Sequence, residues 1–92
     1  MRKITQQIKS AFESRQAKSC GNTTTDGSAV FLHGNKIIER REDGIYATLA
    51  GWNTSTTRER VNGIAGAGFH QVDFSAMRNG QSVSASEWIK VA

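Results

Sequence analysis

The stretch Thr54-Ser55-Thr56-Thr57-Arg58-Glu59-Arg60 concentrates groups able to do chemistry. Four hydroxyls run up to two arginines. Hydroxyls and backbone amides at the start of a helix, with guanidinium groups close by, suit a phosphate or a carboxylate. The same hydroxyls also suit a helix that caps itself, which needs no ligand. Trp52 stands just before them. An indole there either stacks on a nucleobase or anchors a core with its N–H bonded.

Other chemistry finds little footing. Cys20, His33 and His70 lack metal-ligand spacing. No Gly-x-Ser-x-Gly elbow is present. His70 and Asp73 lie three apart on a strand and so point to opposite faces. The glycines at 63, 66 and 68 close a helix and open a strand, whereas a phosphate loop follows a strand and opens a helix. The expectation is a protein that is not an enzyme and holds no metal or cofactor. A lone cysteine excludes an internal disulfide framework and fits a reducing compartment. No apolar run approaches the ~18 residues of a membrane helix, and the polar N-terminus does not read as a secretory signal.

The charge is unevenly placed. The chain has 92 residues and a formal net charge of +4. Residues 1–18 hold Arg2, Lys3, Lys9, Arg15 and Lys18 against Glu13 alone. The remainder is neutral. A basic element on a neutral body marks a docking place for a phosphate-rich or acidic partner.

These groups must be positioned by a small set of elements. Ile4, Ile8, Ala11 and Phe12 recur at helical spacing and predict a basic amphipathic helix over residues 2–18, within an N-terminal segment 1–20. It either packs on the rest or stands free. Gly21 to Gly27 read as a polar linker. Residues 28–92 read as a β-rich body. Its meander has strands near 28–33, 36–42 and 45–52, turned at Gly34-Asn35 and Asp43-Gly44. Thr56 and Glu59 have capping-box spacing, with Ser55 as the alternative cap, and open a short helix near 56–65. A strand near 69–74 follows, then a hairpin signal at Asn79-Gly80 and a last strand near 88–91. The fold class is α+β in a single domain: amphipathic helix, antiparallel meander, short second helix, C-terminal hairpin. The expected core is Ile4, Ile8, Phe12, Val30, Leu32, Ile37, Ile45, Leu49, Trp52, Val61, Ile64, Phe69, Val72, Phe74, Trp88 and Ile89. A core this thin leaves room for a homo-oligomer.

Leu49 to Gly63, with its Gly-Trp-x-Thr-x-Thr-Thr-Arg core, together with His33 to Ile37, Asp43-Gly44, Arg78 to Gly80 and Glu87-Trp88, resembles a family of small uncharacterised proteins from tailed bacteriophages. The resemblance spans about residues 30–90 and leaves the basic helix outside. It carries no activity to transfer. It implies a phage origin and a place in the host bacterial cytoplasm.

Two functions compete on this reading. One is a small non-enzymatic accessory protein that binds nucleic acid through its basic N-terminal helix. Arg2, Lys3, Lys9, Arg15 and Lys18 would supply the primary contact, and Arg58, Arg60 and Trp52 a second. The alternative is a protein-binding phage factor that inhibits or redirects a host enzyme or defence complex.

Overall fold

The computed structural model describes residues 2–92. Met1, the first residue of the expected helical segment, lies outside them. The elements, in chain order, are helix α1 (Lys3–Glu13), strands β1 (Lys18–Cys20), β2 (Thr23–Thr25), β3 (Ala29–Leu32), β4 (Asn35–Arg41) and β5 (Gly44–Ala47), helix α2 (Ser55–Ala65), and strands β6 (Phe69–Val72), β7 (Ser75–Arg78), β8 (Gln81–Ser82) and β9 (Ile89–Lys90). The class is α+β, as the residue pattern predicts.

Helix α1 forms because its apolar residues share one stripe, with Ile8, Ala11 and Phe12 buried. It is shorter than expected. Its end is a Schellman motif: Gln16 N donates to Ala11 O at 2.8 Å and Arg15 N to Phe12 O at 3.1 Å. Arg15 takes the left-handed position, φ 57°, that glycine usually fills. Gly27 fits against this turn. A Cβ on it would sit 2.7 Å from the Arg15 carbonyl carbon.

The expected linker is a hairpin. β1 pairs with β2 through Lys18↔Thr25, Ser19↔Thr24 and Cys20↔Thr23. Thr23 and Thr25 are buried, while Thr24 is exposed. The Thr25 hydroxyl donates to Ala29 O at 2.6 Å, so its burial leaves no orphan. The threonine run therefore behaves as a strand with one wet face, which a polar composition conceals.

The main sheet is antiparallel with order β1-β2-β3-β4-β5-β9. Thr25, Val30, Ile38 and Ala47 are successive cross-strand partners and form one buried row. Both helices pack over this face, α1 on β1–β3 and α2 on β4–β5, and they touch each other. The register shifts at Val30/Phe31, whose partners are Ile38 and Lys36. Ile37 is thus the extra residue of a bulge. Strict alternation would expose one isoleucine, but the bulge buries both Ile37 and Ile38. The opposite face stays open. It carries the half-buried aromatics Phe31, Tyr46 and Trp88. Lys36 lies over Phe31, and Arg41 lies 4.0 Å over Tyr46.

Strand β5 ends at Ala47 rather than near Trp52. Ala50 and Gly51 then turn the chain through left-handed conformations, φ 55° and 83°. Helix α2 begins two residues earlier than the Thr56 capping box implies. Thr54 is the cap, and its Oγ1 accepts from Thr57 N at 3.2 Å. Gly66, φ 65°, ends the helix as its left-handed cap, and Gly63 lies inside it. The Asn62 side chain then mimics a strand partner. Its Nδ2 donates to Phe69 O and its Oδ1 accepts from Phe69 N, both at 2.8 Å.

The C-terminal hairpin belongs to a second, three-stranded sheet, β6-β7-β8. Asn79-Gly80 makes the expected turn, with φ 54° and 78°. An unexpected turn at Asp73-Phe74, φ 49° and 66°, separates β6 from β7. Together with the Ala50-Gly51 turn, it corrects three core expectations. Phe74 at the turn tip is 91% exposed, Val72 is 48% exposed, and Trp52 past Gly51 is 58% exposed. Leu49, fully buried, takes the core position that Trp52 was expected to share. Ile4, Ile45, Trp88 and Ile89 sit at the core's margin, half-buried.

Candidate functional site

The chain has twelve lysines and arginines. The structure divides them into two groups. Seven have a partner within the chain. Lys36 and Arg41 both pair with Glu39, at 3.3 and 2.6 Å. These bonds, that of Arg41 first, hold the Glu39 carboxyl below its ordinary range. Lys90 lies 4.0 Å from Asp43. Arg40 donates to Phe12 O at 2.8 Å and stacks 4.3 Å over the Phe12 ring, so it closes the C-terminal end of α1. Arg78 donates to Ala67 O at 2.7 Å. Arg58 bridges Asn53 and Gln71 and ties α2 to β6.

Arg60 is the seventh, and it corrects the surface role expected of it. Its side chain is 2% exposed. Nε donates to Thr23 Oγ1 at 2.9 Å and Nη1 to Thr5 Oγ1 at 3.1 Å. Nη1 also donates to Glu59, and Nη2 reaches Asn22 Oδ1 at 3.4 Å. Thr5 in turn donates to Glu59 Oε1 at 2.5 Å. Burial pushes the Glu59 carboxyl up, but the bonds from Thr5 and Arg60 outweigh it and hold the group below its ordinary range. The network clamps α1, α2 and the β1–β2 hairpin together. Glu59, expected to complete a capping box, is used here instead.

The other five cations are Arg2, Lys3, Lys9, Arg15 and Lys18. None has a side-chain hydrogen bond or ion pair among the described residues. All but the half-buried Lys9 are exposed. They are not all helical. Only Lys3 and Lys9 lie within α1, with Glu13; Arg15 is in the turn and Lys18 opens the edge strand β1. The excess charge therefore belongs to a surface made by α1, its turn and β1. A polar groove of about 390 Å³ runs along that surface, lined by Gln6, Gln7, Ser10, Ala11, Gln16 and Lys18. Since α1 supplies Ile8 and Phe12 to the core, it is packed and not free.

A second concavity lies at the start of α2. This cleft, about 430 Å³, has a floor of Leu32, Ile37, Leu49 and Ala50. The exposed Trp52 forms a wall. His33, Asn35, Thr54, Thr56 and Thr57 supply its polar groups. The structure thus brings Trp52 together with the threonine cluster. It does not bring Arg58 or Arg60 to the lining.

A family model described as Kyanoviridae Gp96 protein matches residues 1–91. The chain belongs to the Kyanoviridae Gp96 protein family, a family of bacteriophage proteins. The match takes in α1, which the resemblance to phage proteins had left outside. Neither a curated protein nor a solved structure shows a significant match to the chain. In this Gp96-family protein, no described helix is long and apolar enough to cross a membrane. Among the described residues no group of His, Cys, Asp and Glu could hold a metal ion.

Reasoning from the residue order missed His33 and Asn35 as cleft residues and Val72 and Phe74 as surface ones. His33 and Asn35 carry no local signal, because a cross-sheet turn brings them to α2. Phe74 had one: the polar Asp73 beside it interrupts the run, and two short strands need a turn between them. Asn53 Nδ2 lies 3.5 Å from Phe74 O, so this hairpin tip sits beside the Trp52 segment. The three large exposed apolar residues identified in the described chain are Trp52, Val72 and Phe74.

Proposed function

We propose that this protein is a non-enzymatic phage accessory protein that binds nucleic acid in the host bacterial cytoplasm, through the surface of α1, its turn and β1. One observation carries the reading. Seven cations have partners within the chain, and the five without such partners are gathered in one N-terminal segment, which also carries a polar groove lined in part by Lys18. Unpaired lysines and arginines release the counterions of a phosphate backbone on binding, which is the main source of sequence-independent affinity. Such a site binds with a Kd of roughly 10⁻⁴–10⁻⁶ M at physiological salt. Fluorescence anisotropy with labelled DNA and RNA at low salt tests it. Binding should collapse as salt rises and weaken strongly in a combined Lys3→Gln, Lys9→Gln, Arg15→Gln, Lys18→Gln variant. Absence of binding at low salt, or an unaffected variant, refutes the reading.

A different observation favours a second reading, a protein-binding factor that inhibits or redirects a host enzyme or defence complex. Phe74 stands almost fully exposed on a turn, flanked by Val72 and close to the Trp52 segment. Exposed aromatic anchors of this kind dominate protein interfaces. A pull-down from nuclease-treated host lysate should then recover one stoichiometric protein, and Phe74→Asp should release it. Recovery that Phe74→Asp leaves unchanged contradicts this reading.

A further inference from the structure

We infer that the cleft at the start of α2 receives one unstacked base of a single-stranded nucleic acid, stacked on Trp52, while the backbone of the strand follows α1. The inference rests on the nucleic-acid reading above and names how that partner is held.

The cleft's volume of about 430 Å³ lies within the range of about 300–1,000 Å³ typical of small-ligand sites. Its floor is apolar and formed by core residues, so it is preformed. Trp52 is 58% exposed where an indole would ordinarily be covered. A base needs this arrangement: an apolar slot for its faces and an aromatic plane to stack on, worth about 1–3 kcal/mol per base.

The rim decides between a base and an apolar side chain. The side chains of His33, Asn35 and Thr56 have no hydrogen-bond partner among the described residues. An aliphatic plug would strip water from these groups and return nothing, at a cost of about 1–3 kcal/mol for each group left unsatisfied. A heterocycle offers donors and acceptors at its edge and satisfies them.

The cleft opens at the end of the sheet where α1 begins. His33 N donates to Asn22 O at 2.9 Å, and Asn22 is bound by Arg60, which also holds Thr5 in the first turns of α1. Ile4 packs beside Gly21 in the same corner. Arg2 and Lys3 therefore flank the end of the molecule that holds the cleft, and Lys9, Arg15 and Lys18 lead away along α1 to the opposite end. Eleven residues of helix span about 16 Å at 1.5 Å per residue, enough for several phosphates of an extended strand.

The test compares a short oligothymidylate with an abasic strand of equal length, both titrated by anisotropy at low salt against the full chain. Both carry the phosphates; only one carries bases. The wild-type protein should bind the base-bearing strand about 5- to 150-fold more tightly. Trp52→Ala should erase that difference, and Trp52→Phe should restore part of it. Equal affinity of the wild type for the two strands overturns the inference while leaving the phosphate reading intact. A difference that survives in Trp52→Ala also overturns it, since the bases would then be stacking elsewhere. If neither strand binds at low salt, the nucleic-acid reading itself falls and takes this inference with it.

Discussion

Replacing Arg60 by alanine should destabilise the fold severely and leave the surface cations as they are. The magnitude follows from the network. Arg60 is 2% exposed and donates to Thr23, Thr5, Glu59 and, more weakly, Asn22. Removing one member of a buried ion pair costs about 3–5 kcal/mol, because the partner's charge is left uncompensated. The Glu59 side chain is 23% exposed, so water recovers part of its solvation and the lower end applies, about 3 kcal/mol. A chain of this size is stable by about 5–14 kcal/mol, at ~0.05–0.15 kcal/mol per residue. The change thus removes between a fifth and more than half of the total and should lower the Tm by roughly 12–24 °C. Urea unfolding followed by circular dichroism measures it, with an unchanged m-value as the check on two-state behaviour. Glu59→Ala should cost a similar amount, and the double variant less than the sum, since both remove the same interaction. A loss below about 1 kcal/mol for Arg60→Ala refutes the reasoning. It would mean that the guanidinium is solvated and available to a ligand, as the sequence alone had allowed.

Further outcomes follow from the same geometry. Thr54→Ala should lower stability by about 1 kcal/mol through loss of the cap on Thr57 N, whereas Thr56→Ala should change it by less than half of that; equal effects would restore the capping-box assignment. Glu59 titrates below its ordinary value of 4.5 in the folded state, so its contribution is complete above that value and is lost as pH falls through the depressed one. Asp26 behaves alike, because the amides of Ser28 and Ala29 donate to its carboxylate. Acid unfolding should therefore begin below about pH 4.5 and be accompanied by proton uptake; a stability flat from pH 5 to pH 2 would contradict it. Phe74→Gly should leave stability unchanged or raise it by up to about 1 kcal/mol, because a bulky residue at φ 66° is strained and this one packs on little. A loss above 1 kcal/mol would show that the ring is buried in solution, by the fold or by a second copy.

Much of the architecture was legible because it depends on local periodicity. The stripe Ile4, Ile8, Ala11, Phe12 defines α1, and Asn79-Gly80 defines its turn, whatever else the chain does. Failures came where tertiary contacts outrank local preference. Thr23 and Thr25 look like linker residues, and become strand residues only because Arg60 and Ala29 satisfy their hydroxyls. Thr56 and Glu59 have the spacing of a capping box, but Glu59 is worth more to Arg60 and Thr5 than to a backbone amide. Ile37 and Ile38 cannot both point inward on a regular strand, and a bulge is hard to foresee from pattern alone. The candidate site was legible in outline: the charge asymmetry and Trp52 were visible. Which cations remain unpaired was not, because pairing is decided by partners distant in sequence, Arg40 to Phe12 and Arg78 to Ala67 among them.

The central claim is that the five unpaired N-terminal cations, and not the engaged ones, meet a phosphate backbone. The salt dependence of single-strand binding tests this most directly, since log Kobs against log salt has a slope of about −0.7 per phosphate neutralised on a single strand. The wild type should give a slope of up to about −3.5, reduced in magnitude by about 0.7 in Lys9→Gln and unchanged in Lys36→Gln, whose lysine is already paired with Glu39. A slope near zero, or equal reductions in the two variants, would contradict it.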